Sequence, residues 1–210
     1  MGQNEERYYA RTVAILQDAD VAADERGDLP GGSGSHGGLA RWERKRRVIA
    51  EAFDHDGTWI DLGCANGYLM ETLRAWTAEK GVHIEPYGLD LCERVAERAR
   101  LRLAKWADRI WSGNVMSWEP PRRFDYATLL PDFVPEELLG AMLARVRDNF
   151  LSPAGRLIVN CYRPAPGAHQ GDGPSAPLLL RDLGFDADGS AEVRDDDGTR
   201  WTSIVWIDRK

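Results

Sequence analysis

The run Asp61-Leu62-Gly63-Cys64-Ala65-Asn66-Gly67 has the clearest chemical spacing in the chain. It follows a short apolar stretch and opens a segment of helical periodicity, so it reads as a strand-to-helix turn. Glycine permits such a sharp turn and lets a ligand approach the backbone, and a helix start offers free N–H groups to that ligand. A second acid, Asp90, closes the apolar run IEPYGLD. In an open parallel sheet, ligands bind outside the carboxyl ends of the strands, and an acid there can accept both hydroxyl hydrogens of a ribose. A third strand signal ends in Gly113-Asn114-Val115, where a side-chain amide and a backbone N–H can read the edge of an adenine. Asp90 also suits a helix cap and Asn114 a plain turn, but their positions beside a glycine turn favour the ligand reading.

The elements that must position these residues alternate. TWIDLG, IEPYGLD, RIWSG, FDYATLL and GRLIVNCY read as strands, with helices NGYLMETLRAWTAEKG, CERVAERARLRLAKW and PEELLGAMLARVRDNF between them. Such alternation predicts an α/β fold, a parallel sheet with helices on both faces. The end differs: a helix near 176–183 precedes strands near 188–194 and 200–208, and the turn signal DDDGT predicts an antiparallel hairpin. Before the core lie a short helix over 5–17, a Gly/Ser-rich stretch over 24–38 that reads as a flexible lid, and a helix LARWERKRRVIAEAF over 39–53. The chain thus divides into an N-terminal helical lid segment, 1–53, and a core, 54–210.

From about Thr58 to Tyr162, roughly half its length, the sequence resembles the class I S-adenosylmethionine (SAM)-dependent methyltransferases. The resemblance rests on DLGCANG, Asp90 and Asn114 at successive strand ends, and the terminal hairpin. It implies a Rossmann-like seven-stranded sheet of order 3-2-1-4-5-7-6 with strand 7 antiparallel. It also implies SAM as cofactor and S-adenosylhomocysteine (SAH) as product. Asp61, Gly63, Cys64, Ala65 and Gly67 then belong to the turn that holds the methionine portion, Asp90 binds the ribose, and Leu91 packs against adenine. Asn114 and Val115 contact the adenine edge, and Leu130 to Phe133 border the transfer site. Ala65 stands where many members have glycine, and Asn114 where aspartate is common. The pattern D/N-P-P-Y/F of many amino-group methylating members is absent, with LPDFVP in its place, so O-, N-, C- and S-methylation all stay open.

Candidate acceptor contacts are Trp42, Phe133, Tyr162 and His169, and Asp132 is the candidate base or helix cap. Tyr8, Tyr9 and Tyr68 are further aromatic candidates, with core packing as their default. Cys64 has no histidine near it in sequence and reads as a small buried side chain. His36, His55, His83 and His169 show no metal-ligand spacing, so no metal is expected. The run Arg44-Lys45-Arg46-Arg47 reads chiefly as a solvated helix face. Its sharper readings are an anionic acceptor, RNA, or an arginine that reaches the cofactor carboxylate.

Composition bounds the rest. With 210 residues, 43% hydrophobic and 29% charged, the chain suits one soluble domain with an accessory segment. A net charge of -7 gives no general attraction to phosphate backbones or anionic lipids. Three cysteines without C-x-x-C spacing, no signal-peptide pattern and no long apolar run point to a reducing cytoplasm and no membrane span. The expected activity is methyl transfer to a small-molecule acceptor of the kind met in specialised metabolism. An RNA methyltransferase, a non-methylating SAM enzyme and a SAM-binding regulator are the alternatives. A nicotinamide oxidoreductase is disfavoured: its G-x-G-x-x-G pattern, counted from Gly63, needs glycines at 65 and 68, where Ala65 and Tyr68 stand. The sequence assigns no oligomeric state.

Overall fold

The computed structural model describes residues 3–26, 38–162 and 174–210. Seven strands form one sheet: β1 (Gly57–Leu62), β2 (Ile84–Asp90), β3 (Ile110–Ser112), β4 (Phe124–Leu129), β5 (Leu151–Tyr162), β6 (Gly189–Arg194) and β7 (Arg200–Asp208). Their order is β3-β2-β1-β4-β5-β7-β6. The first five are parallel, and β7 runs antiparallel to both β5 and β6. Among the described residues six α-helices accompany them: α1 (Gln3–Arg26), α2 (Leu39–Arg46), α3 (Tyr68–Glu79), α4 (Glu93–Arg102), α5 (Leu139–Arg145) and α6 (Ala176–Asp182).

Alternation along the strands divides the core in two. Leu157, Val159 and Cys161 of β5 face the side packed by α5 and α6, together with Leu139, Met142 and Leu180. Ile158 and Tyr162 face the other side, where Trp42 of α2, Leu73 and Trp76 of α3 and Ala96 and Ala99 of α4 pack. Central strands buried on both faces carry apolar runs, whereas the edge strand β6 alternates half-buried and exposed positions. Its outward Glu192 lies 2.7 Å from both Arg194 and Arg200, charges that blunt the open edge.

Three element boundaries differ from the sequence reading. The first helix spans Gln3–Arg26 rather than 5–17. The helix expected over 39–53 is α-helical only to Arg46, and Arg47–Ala52 continue as a 3-10 helix. The tightening buries Ile49, Ala50 and Ala52 against the sheet side that also holds Trp59 and Ile204. The helix expected over 135–150 begins with a 3-10 turn at Glu136–Leu138 and ends in a π turn at Val146–Phe150. The 24–38 lid also changes: residues 24–26 belong to α1, and 27–37 lie outside the described residues. Residues 39–53 contribute Trp42, Ile49 and Phe53 to the core, so the N-terminal segment is built into the sheet's packing.

Candidate active site

The carboxyl edge of the sheet carries the Gly63–Gly67 turn after β1, Asp90 at the end of β2, Asn114 after β3 and Leu130–Asp132 after β4. After β1 the chain reverses through Gly63 and Gly67, both with positive φ (80° and 76°), and Ala65 between them lies at φ 47°. Alanine therefore occupies a left-handed conformation that glycine adopts without penalty. The turn is held from β2: Leu89 O accepts from Gly63 N at 2.7 Å and from Cys64 N at 3.2 Å. A side chain at Gly67 would sit 3.1 Å from Ala99 Cβ and 3.2 Å from Leu103 Cδ1, so α4 packs against the bare backbone there. Asn66 Oδ1 accepts from Tyr68 N at 3.1 Å and starts α3.

Asp90 supports that turn directly. One carboxylate oxygen accepts from Ala65 N and the other from Cys92 N, each at 2.8 Å. Burial raises its pKa, and the two backbone N–H groups pull it down. The side chain thus turns the chain into α4 through Cys92 and pins the glycine turn, while α4 itself has Cys92 as N-cap and no side-chain cap bond. A carboxylate has about four lone-pair sites, so two stay open to hydroxyl donors.

Asn114 follows β3 and accepts from Met116 N at 2.9 Å through Oδ1. Val115 is buried, Leu91 is half-buried, and both pack in the core cluster that contains Tyr9. Asn114 lies beside the buried Tyr9 hydroxyl, whose pKa burial raises and Asn114 lowers. On the neighbouring residue of α1, the Tyr8 hydroxyl donates to Asp132 O at 2.7 Å. Helix α1 therefore touches the end of β3 through Tyr9 and the loop after β4 through Tyr8.

A pair of opposite charges lies on the α2 side. Asp61 ends β1, is 4% exposed, and accepts from Thr128 Oγ1 at 2.7 Å. Thr128 Oγ1 in turn accepts from Trp59 Nε1 at 2.9 Å. Burial pushes the Asp61 carboxyl up to about 7; the Thr128 hydrogen bond opposes this, Asp90 adds to it and Arg46 opposes it. Arg46 is itself buried, its guanidinium carbon 4.6 Å from the ring centres of both Trp42 and Tyr162. Burial lowers the Arg46 pKa, while Tyr162 and Asp61 act in the other direction.

The basic run is only half the solvated face expected from its sequence, with Arg44 and Arg47 exposed. Lys45 and Arg46 are buried, and Arg44 pairs with Asp196 at 2.8 Å. Arg47 pairs with Glu79. Arg41, Arg44 and Lys45 all lie over the Trp201 ring, at 4.5, 5.1 and 5.5 Å from its centre. An indole face attracts cations, so the run docks α2 on the start of β7.

Asp132 follows Leu130 in a short 3-10 turn, Pro131–Phe133. Desolvation raises its carboxyl pKa. Its charge in turn helps to raise Cys161 and Tyr162, each pushed up to about 12 mainly by burial. Cys64 is also raised well above the ordinary thiol value, first by burial and then by Asp90 and Asp61, so it is a protonated packing group at neutral pH. The Phe133 side chain and all of His169 and His36 lie outside the described residues. His55 and His83 sit before β1 and β2, at the opposite edge, beside Asp54 and Asp56. Sequence reasoning singled out neither Thr128 nor Asn160, and it left Arg46 inside an undifferentiated basic run.

No protein-family model and no curated protein sequence matches the chain. Solved structures do. The N-methyltransferase NodS from Bradyrhizobium japonicum WM9, in complex with SAH, matches with a TM-score of 0.56 and 14% identity over 81% of this chain and 85% of NodS. The 1,6-didemethyltoxoflavin-N1-methyltransferase from Burkholderia thailandensis, with SAH bound, gives 0.58 and 17% over 96% and 90%. The mitomycin 7-O-methyltransferase MmcR gives 0.61 and 20% over 94% of this chain and 60% of MmcR. The chain has the Rossmann-like fold of the class I SAM-dependent methyltransferases.

Proposed function

We propose that this chain is a SAM-dependent methyltransferase whose acceptor is a small molecule. The observation that carries the reading is the convergence, at one sheet edge, of the Gly63–Gly67 turn, Asp90, Asn114 and the Asp61–Arg46 charge pair. These groups suit the parts of SAM: Asp61 the methionine ammonium, Arg46 the carboxylate, Asp90 the ribose hydroxyls, Asn114 and Val115 the adenine edge. The left-handed Gly63 keeps side-chain bulk off the turn, and bare Gly67 lets α4 pack close beneath it. SAM supplies a methyl group already activated on its sulfonium, so the chain has to orient the reactants and exclude water. Tyr8 assists by tying α1 to Asp132 O, which closes the strand ends beside Leu130. The raised pKa of Asp132 makes its carboxylate a better proton acceptor than a solvated one, which suits a base for an acceptor that loses a proton.

A small acceptor fits the material available as a roof, α1 and α2. The net negative charge and the burial of Lys45 and Arg46 weigh against RNA. The structural matches include enzymes named for small acceptors, such as mitomycin and 1,6-didemethyltoxoflavin. The test is incubation with methyl-labelled SAM and a small-molecule extract, alongside total RNA. Label in small molecules, lost in Asp90→Ala, supports the reading. Label in RNA alone, or cleavage of SAM without methyl transfer, overturns it.

A further inference from the structure

Two buried polar groups near the strand ends play no part in the cofactor site described above. Asn160 of β5 is 2% exposed and Thr202 of β7 is 0% exposed. Asn160 Oδ1 and Thr202 Oγ1 have no hydrogen-bond partner among the described residues. Buried polar side chains are nearly always paired, because an unpaired group keeps its desolvation cost with no return. Two such orphans in adjacent strands call for a reason.

The register places them together and on the acceptor side. Asn160 pairs with Ile204 and Tyr162 with Thr202. Ile158, Tyr162 and Ile204 all pack on the α2 side, and side chains two apart share a face. Asn160 and Thr202 therefore point to that same side, on the diagonal of one antiparallel pair, within reach of a single ligand. The last β4–β5 pair is Leu129 with Val159, so Asn160 lies one residue beyond it, level with Leu130. Above it stands Tyr162, with the Arg46 guanidinium over its ring. Asp61 and Thr128 face the same side from β1 and β4, each two residues on from Trp59 and Tyr126 of that cluster.

We propose that Asn160 and Thr202 form the polar floor of the acceptor pocket, beneath the Tyr162 ring. This rests on the methyltransferase reading and specifies its substrate class. Asn160 Oδ1 is an acceptor only, so the ligand must bring an N–H or O–H donor. Thr202 Oγ1 can donate or accept, so a second polar atom beside that donor is satisfied as well. The Tyr162 ring beside them favours a flat molecule. The acceptor is thus a planar compound with an amide-like or lactam-like edge.

The probes are matched pairs: 2-pyridone with N-methyl-2-pyridone, and benzamide with N,N-dimethylbenzamide. Each is titrated by NMR into the full chain, with and without saturating SAH. The donor member of each pair should bind about ten-fold or more tightly than its methylated partner, as expected for a buried acceptor left unpaired by the latter. Asn160→Leu should reduce the preference to within about two-fold. Thr202→Val, nearly isosteric, should reduce it part-way and serves alone if Asn160→Leu fails to fold. SAH affinity should stay within about two-fold of wild type in both variants. No binding by either donor fragment, no preference in the wild type, or a preference that survives both substitutions would overturn the proposal. SAH binding without a fragment preference refutes this floor and leaves the cofactor reading intact. A preference lost on substitution in a chain that ignores SAH does the reverse.

Discussion

Asp61 links cofactor binding to pH in a way the structure makes quantitative. Its carboxyl is held at about 7, against an ordinary value of 3.8. Ionising it in the folded ligand-free chain therefore costs about 4 kcal/mol more than in the unfolded chain. The folded state binds more protons between these two values, so its stability falls as pH rises from about 4 through about 7. Replacing the carboxyl by the neutral amide in Asp61→Asn removes this dependence. The variant's advantage in ligand-free melting temperature should grow over that window and then level off. A ligand ammonium reverses the balance, because it is best served by the ionised carboxylate. SAH affinity for the wild type should rise up to about ten-fold per pH unit below 7 and flatten above it. At pH 6, calorimetry in buffers of different ionisation enthalpy should show release of close to one proton per ligand, about 0.9 from the displaced equilibrium. In Asp61→Asn the slope should vanish, and affinity at pH 8 should drop about ten- to a hundred-fold, the worth of one charged hydrogen bond. Wild-type affinity that is flat from pH 5 to 8, or an unchanged slope in the variant, would refute the assignment of Asp61 to the ammonium.

Other substitutions probe the remaining contacts. Asp90→Ala should both lower the melting temperature and weaken SAH binding at least ten-fold, since it removes two backbone anchors together with the ribose acceptor (roughly 1.5–3 kcal/mol each way); calorimetry and thermal unfolding read the two effects separately. Ala65→Gly should change stability by less than about 1 kcal/mol, as relief at φ 47° offsets added chain freedom, whereas Ala65→Val should cost about 2 kcal/mol or more in denaturant titrations. Tyr8→Phe deletes the bond to Asp132 O and should raise the acceptor KM several-fold, about 1 kcal/mol, with little loss of stability. Deleting residues 1–38 should lower turnover much more than melting temperature, because every strand and the glycine turn lie outside the deletion.

The strands were legible because they carry apolar runs and the parallel units repeat with helices between them, whereas their order was implied only by the family resemblance. The turn residues were legible because Gly63, Ala65 and Gly67 answer to local backbone demands that a sequence displays directly. The break after Arg46 was not: nothing in RVIAEA disfavours an α-helix, and only packing of Ile49, Ala50 and Ala52 against the sheet tightens it. Arg46 illustrates the same limit. Sequence cannot separate it from Arg44 or Arg47, since its burial between Trp42 and Tyr162 is set by how α2 lies on β5 and β7. Asn160 and Thr202 look like ordinary strand polar residues until the register turns both toward one closed face. Long-range placement, rather than local pattern, decides these positions.

The central claim, that the carboxyl edge of this sheet binds SAM, is tested most directly by calorimetric titration of the folded chain with SAM and with SAH at pH 8. The account predicts saturable one-site binding of both, with dissociation constants on the order of micromolar (about -8 kcal/mol), and marked weakening in Asp90→Ala. Absence of heat for both ligands in a chain shown to be folded, or equal binding by the wild type and Asp90→Ala, would contradict it.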